Sequence, residues 1–225
     1  MREGGGSAGR RRQVTVERKV TVETEAGGGA HARKPRKDAA RNRAALLAAA
    51  DDLFARCASP EDVTMSDVAA AAGVGKGTLF RAFGDRTALI RALYAARLEP
   101  LERAVAEGPP PLGPGTPPLE RVPALLDAVL CFKFDHRHLA LALEGTGGDS
   151  PYRAEHYERW HALLRSALAD LLDPPDADFT AHALLAAVRA DLVEYVAGTH
   201  GTGREELRVR LGEFVRRVLG TAGGT

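Results

Sequence analysis

Residues 73–83 read GVGKGTLFRAF, a lysine set among three glycines. Two chemistries use such a stretch. A phosphate-binding loop needs G-x-x-x-x-G-K-[ST] after a buried strand, so that backbone N–H groups cradle the phosphates. Here Gly73 to Gly77 is one residue too short, Lys76 precedes the last glycine, and the preceding segment reads as a helix. Nucleotide binding is excluded on spacing and on context. A helix-turn-helix fits both. Its two short helices need a small residue where they touch, which Ala69 supplies. Its turn needs a residue that tolerates positive φ, which is Gly73, four residues later. Val68, Ala72, Val74, Leu79 and Ala82 supply the apolar contacts in register.

The elements that must position this stretch follow from periodicity. Leu46, Ala50, Leu53, Phe54 and Cys57 recur at helical spacing and predict an amphipathic helix of about 18 residues from Asp38, stopped by Pro60. Thr64 followed by Asp67 is a capping box that starts a helix at Met65. The next short helix runs over 75–83. Asp85 caps a long one, RTALIRALYAARLEPLERAV, over about 85–107. The proline-rich stretch at 107–118 must be a loop. Beyond it, helices are expected at 119–134, 136–144, 151–172, 176–199 and 203–219, separated in part by GTGGDSP and DPPDAD. The fold class is all-α.

The segment TMSDVAAAAGVGKGTLFRAFGDRTALIRALY resembles the DNA-binding domain of the TetR family of bacterial transcriptional regulators. The resemblance covers about residues 40–97, including RAALLAAADDLF, and only the general helical layout beyond. It implies a helix-turn-helix domain at 38–84 and a helical effector-binding and dimerisation domain at 85–225, with helix 85–107 as connector, and ahead of them residues 1–37, which lack helical periodicity and carry GGG twice, are expected to be a basic, disordered extension. It implies DNA contacts from Thr64, Gly75, Lys76, Gly77, Thr78, Phe80, Arg81 and Arg86, with Lys76 and Thr78 entering the major groove. Three positions depart from the family pattern. Phe80 stands for a Tyr whose hydroxyl would bond a phosphate, Ala82 for a frequent His, and Arg86 for a frequent Lys. The basic residues Arg33, Lys34, Arg36, Lys37, Arg41 and Arg43 offer compensation.

Charge agrees with that polarity. The chain is +1 overall, but residues 1–37 hold 10 Lys/Arg against 4 Asp/Glu, while residues 98–225 hold 13 against 19. Basic charge attracts phosphates. The expected partners are double-stranded DNA with a palindromic operator, a second copy of the chain, and a small-molecule effector. No cofactor and no membrane partner is expected. Within the family the last two helices pair between subunits. Here Phe179, Leu184, Val188, Leu192 and Val196 form one stripe, and Leu207, Leu211, Phe214, Val215 and Val218 another. Phe132, Phe134, His138, Trp160, His161, Arg189 and Tyr195 are the candidate effector-lining residues. The pair His136 and His138 lacks third and fourth ligands at suitable spacing, so no metal site is expected. No G-x-S-x-G, no H-E-x-x-H and no cysteine beside a base appears, so an enzyme is not expected. Cys57 and Cys131 lie in unrelated surroundings, and reduced thiols in a cytoplasmic protein are the expectation.

Overall fold

Alanine and leucine dominate the chain, and both favour helix. In a computed structural model, which describes residues 33–144 and 155–222, ten α-helices form and no strand is present among the described residues. VTVERKVTVETE at 14–25, which alternates apolar and polar residues, and the GTGGDSP link lie outside the described residues. The chain divides into residues 1–37 and residues 38–225. Of the former, only Arg33 to Lys37 are described, and they are helical, so the expected start at Asp38 is five residues late.

Helix α1 (Arg33–Arg56) buries Leu46, Ala50 and Phe54. A short 3-10 turn at Pro60–Asp62 leads to α2 (Met65–Ala71) and α3 (Lys76–Phe83). Val68, Ala69, Leu79 and Phe83 close the core of this three-helix unit. Gly73 makes the turn with φ of +65° and Gly84 leaves α3 with φ of +81°, where a Cβ would be strained.

Helix α4 (Arg86–Glu107) starts at Asp85, whose carboxylate accepts the Ala88 N–H at 2.7 Å, and it continues through Pro100. Helices α5 (Pro118–Asp135), α6 (Arg137–Glu144), α7 (Glu155–Leu168), α8 (Pro174–Ala186), α9 (Ala190–Thr199) and α10 (Arg204–Ala222) complete the fold. Leu98, Leu125, Leu126, Leu130, Leu164, Leu168 and Leu184 fill the second part of the core. Helix α10 is pinned to α5 by Arg204 on Asp135 at 2.6 Å and Arg208 on Asp127 at 2.7 Å.

Two helices expected from periodicity change. The expected helix at 151–172 ends at Leu168. The expected single helix at 176–199 is two, broken at residues 187–189, where Arg189 is extended (φ −61°, ψ 140°). The break has a tertiary cause. The Glu144 carboxylate, 46 residues away, accepts the Ala190 N–H at 2.7 Å and so caps α9, while Val188 is fully buried. A carboxylate at a helix N-terminus satisfies an orphan donor and opposes the helix dipole.

Candidate DNA interface and effector cavity

The capping box forms as the residue types require. The Asp67 N–H donates to Thr64 Oγ1 at 3.3 Å, the Thr64 N–H donates to Asp67 Oδ2 at 3.2 Å, and the Thr64 hydroxyl donates to the same carboxylate at 2.6 Å. The bonds from Thr64, with a smaller pull from the Lys76 charge, hold the Asp67 carboxyl below its ordinary range. This fixes α2, on which α3 rests. Helix α3 turns Leu79 and Phe83 inward and leaves Lys76, Gly77, Phe80 and Arg81 outward. Thr78 is half-buried, and Gly75 stands exposed at the N-cap. Nothing lies within 4 Å of the positions a Cβ would take at Gly75 and Gly77, so a partner's backbone has open access there. Phe80 is 49% exposed, an unusual setting for phenylalanine beside two cations.

Two of the basic residues expected at DNA are engaged inside the domain. Arg86 donates from Nε to the Val63 carbonyl at 3.0 Å and from Nη2 to the Pro60 carbonyl, and its guanidinium lies over Phe54. Arg43 donates to the Ala82 carbonyl at 3.0 Å, with its guanidinium 4.2 Å from the Phe83 ring centre. Arg43 ties α3 to α1, and Arg86 ties the start of α4 to the 60–63 turn and to α1. Arg41 and Lys37 are exposed on α1, with Arg41 at 3.9 Å from Asp38. Arg33, Lys34 and Arg36 lie in the first turn of that helix rather than in a loose arm.

The candidate effector residues separate into four places. Phe132, Trp160 and Arg189 meet around an enclosed cavity of about 40 Å³, together with Tyr94 and Leu98 from α4, Lys133, Glu144, His156, Tyr157 and Leu185. Phe134 and His138 instead line a more open cleft of about 260 Å³ between α1 and the α5–α6 junction. Cys57 Sγ lies 3.1 Å from His138 Nδ1 there. His161 packs between α7 and α8, and Tyr195 is exposed on α9. Arg189 does not sit within an apolar helix. It occupies the α8–α9 break and holds the Asp191 carboxylate with two bonds at 2.9 and 2.8 Å, which keeps that carboxyl below its ordinary range.

The most telling group around the enclosed cavity was not singled out in the sequence. Lys133 and Glu144 are both buried and pair at 2.6 Å. Burial pushes the Lys133 pKa down, and the Glu144 charge opposes this. Burial also holds His156 at about 4, so its imidazole is neutral at pH 7. Tyr94 stacks edge-on to Phe132 at 5.2 Å, and burial drives its phenol up. The only sequence signal for this cluster is a lysine on the apolar stripe of α5.

Similarity to known proteins agrees with this geometry. Residues 46–93 match the family described as bacterial regulatory proteins, tetR family. No curated protein matches the chain. A putative TetR-family transcriptional regulator from Rhodococcus sp. superposes with a TM-score of 0.58 at 19% identity, over 80% of this chain and 99% of its own. NalD, the secondary repressor of the MexAB-OprM multidrug efflux pump in Pseudomonas aeruginosa, superposes at 0.56 with 18% identity, over 81% and 97%. A gamma-butyrolactone receptor described as ArpA-like superposes at 0.50 with 24% identity, over 80% and 99%. No helix among the described residues is long and apolar enough to cross a membrane. The chain thus carries the helix-turn-helix DNA-binding segment of the tetR family at residues 46–93, and its remaining described helices share the fold of these transcriptional regulators.

Proposed function

We infer that the chain acts as a homodimeric repressor, released from a palindromic operator by a small, mostly apolar molecule with one polar or anionic group. The observation that carries this reading is that α4 serves both ends. Arg86 at its start holds the carbonyls of Pro60 and Val63, and Tyr94 and Leu98 line the enclosed cavity. Arg86 and Tyr94 are eight residues apart, about 12 Å along the axis. At about 40 Å³ the cavity holds little more than water. Drug-sized ligands occupy roughly 300–1,000 Å³. An effector must therefore push α4 away from α5, α7 and α8 to enter, and the displaced helix carries α3 with it. Paired recognition helices must stand about 34–36 Å apart to occupy successive major grooves. A shift of a few ångströms at each α3 breaks that match. Among proteins of the same fold, one is an efflux-pump repressor and one a receptor for a small lactone, which supports both halves of the reading.

Lys76 and Arg81 serve as donors to guanine or phosphate, and the exposed Phe80 ring as an apolar contact for a thymine methyl. The proposed domains remain 38–84 for DNA and 85–225 for effector and dimer. For dimerisation, Phe179 at 74% exposed, Leu192, Tyr195, Val209 and Phe214 offer apolar surface on α8, α9 and α10. Leu184, Val188 and Val215 of the same stripes are spent within the chain. The cavity's small size favours a second reading, a regulator that answers to no ligand. Sequencing DNA captured by the purified protein yields the operator and its symmetry. Titrating candidate effectors into free protein and into the protein–operator complex then decides between the readings. Linkage requires the effector to bind the complex more weakly by the factor by which it weakens operator binding. Equal affinity in both titrations removes the effector-released repressor.

A further inference from the structure

His161, Asp178 and His182 meet where α7 crosses α8. Asp178 and His182 are one turn apart on α8, and His161 faces them from α7. One ligand atom from each residue lies within 4.8 Å of the others. His161 Nε2 contacts the Asp178 carbonyl oxygen at 3.3 Å and stands 3.5 Å from Asp178 Oδ1. The second distance is long for a hydrogen bond. It matches the separation of two ligands on a tetrahedral ion, since atoms about 2.1 Å from the metal stand roughly 3.4 Å apart. The His161 and His182 rings stack at 3.8 Å between centres. Two rings on one tetrahedral ion hold their centres roughly 5 Å apart, so one ring must turn for both nitrogens to face the ion. Tyr157, one turn before His161 on α7, has its hydroxyl 2.7 Å from His182 Nδ1. With Nδ1–H donating to that oxygen, Nε2 keeps its lone pair. Metal-bound histidines hold their other ring nitrogen in such an outer bond.

We propose that His161, Asp178 and His182 form a binding site for one divalent cation of the zinc class, completed by water. Two imidazoles and one carboxylate suit zinc or cobalt rather than magnesium or calcium, which prefer all-oxygen shells. His182 is exposed and His161 and Asp178 are half-exposed, so an ion has an entry path. The site clamps α7 to α8. Tyr157 and Trp160 of α7 and Leu185 of α8 line the enclosed cavity, so the ion staples two of its walls from outside.

The test uses the full-length protein after chelator treatment, titrated with Zn²⁺ by calorimetry and with Co²⁺ by visible absorption. The expected result is one ion per chain, a tetrahedral-type Co²⁺ spectrum, and a higher melting temperature with Zn²⁺. His182→Ala changes an exposed side chain and folds; it and His161→Ala weaken Zn²⁺ by roughly 100-fold or more and abolish the Co²⁺ spectrum. Tyr157→Phe weakens Zn²⁺ by roughly 10-fold through the lost outer bond. Cys57→Ser and His138→Ala, which remove the thiol–imidazole contact near α1, leave binding unchanged. Absence of Zn²⁺ binding overturns the proposal. So does wild-type affinity in either histidine variant, or loss of binding in the Cys57 or His138 variant alone.

Discussion

Thr64 closes the capping box of α2 with Asp67, three residues away, and Glu144 caps α9 from 46 residues away. The helix-turn-helix segment is built of contacts of the first kind. Its cap, its Gly73 turn and its small Ala69 contact all lie within one short window, and each is set by residue type at fixed spacing. The helices beyond Asp85 are built of the second kind. Arg204 meets Asp135 and Arg208 meets Asp127 across long stretches of chain, and Lys133 on α5 meets Glu144 at the end of α6. The first region presents its chemistry outward on α3, to a partner of regular shape. The second turns its chemistry inward around a cavity. Substitutions in the second should therefore cost stability, and substitutions on α3 should cost affinity.

The largest effect is expected at the buried pair. Glu144→Ala strands a buried Lys133 and uncaps α9, and breaking a buried ion pair costs about 3–5 kcal/mol. Urea unfolding measures it. The double replacement Lys133→Met with Glu144→Leu removes both charges and should recover most of the loss. If Glu144→Ala unfolds at the wild-type midpoint, the second region is not held by its interior chemistry.

Acid should act on the same region. His156 sits near about 4 when folded and near its ordinary 6.5 when unfolded, with Glu144, Lys133, Arg159 and Arg91 around it. Its depressed folded pKa means that its contribution is complete above pH 6.5 and is lost as pH falls toward 4, because the unfolded chain takes up the proton first. The loss amounts to about 3 kcal/mol at most. Burial shifts His136 in the same direction. Unfolding curves at pH 7.5, 5.5 and 4.5 should show the decline, and His156→Gln should flatten it.

On α3 the expectation reverses. Lys76→Ala should cost about 1–3 kcal/mol of operator affinity through a lost base contact. Its effect on stability should stay within about 0.5 kcal/mol. Gel-shift titration beside thermal melting separates the two. A stability loss equal to the affinity loss would break the contrast between the regions. The smallest effect belongs to the local cap. Thr64→Ala should cost about 1 kcal/mol of stability. Because Asp67 is held below its ordinary pKa by Thr64, the capping contribution is present above the unfolded carboxyl pKa and fades as pH falls through the folded one. The variant should accordingly lose less stability than wild type on acidification.

Most of the helix-turn-helix was legible before the structure. Capping box, turn glycine and apolar register each have one physical meaning in a single stretch of chain. Arg43 and Arg86 show where that legibility stops. Charge and position suggest phosphate, but only packing shows that both guanidiniums bond carbonyls inside the domain. Among the effector candidates, Phe132, Trp160 and Arg189 converge, while Phe134, His138, His161 and Tyr195 do not join them. An aromatic on an apolar stripe predicts burial, not which cavity it borders.

By itself the sequence determined the all-α class, the boundaries of α2 to α4 and the outward face of the recognition helix. Those properties depend on spacing at 3.6 residues per turn and on residues within one or two turns of each other. Only the tertiary structure decided that the helix expected at 176–199 breaks, that Lys133 finds Glu144, and that His161 finds Asp178 and His182. Helical periodicity says which face is buried. It carries no record of which other helix supplies the partner, and a buried ion pair, a capped break and a cluster of two histidines and an aspartate each exist only once that partner is in place.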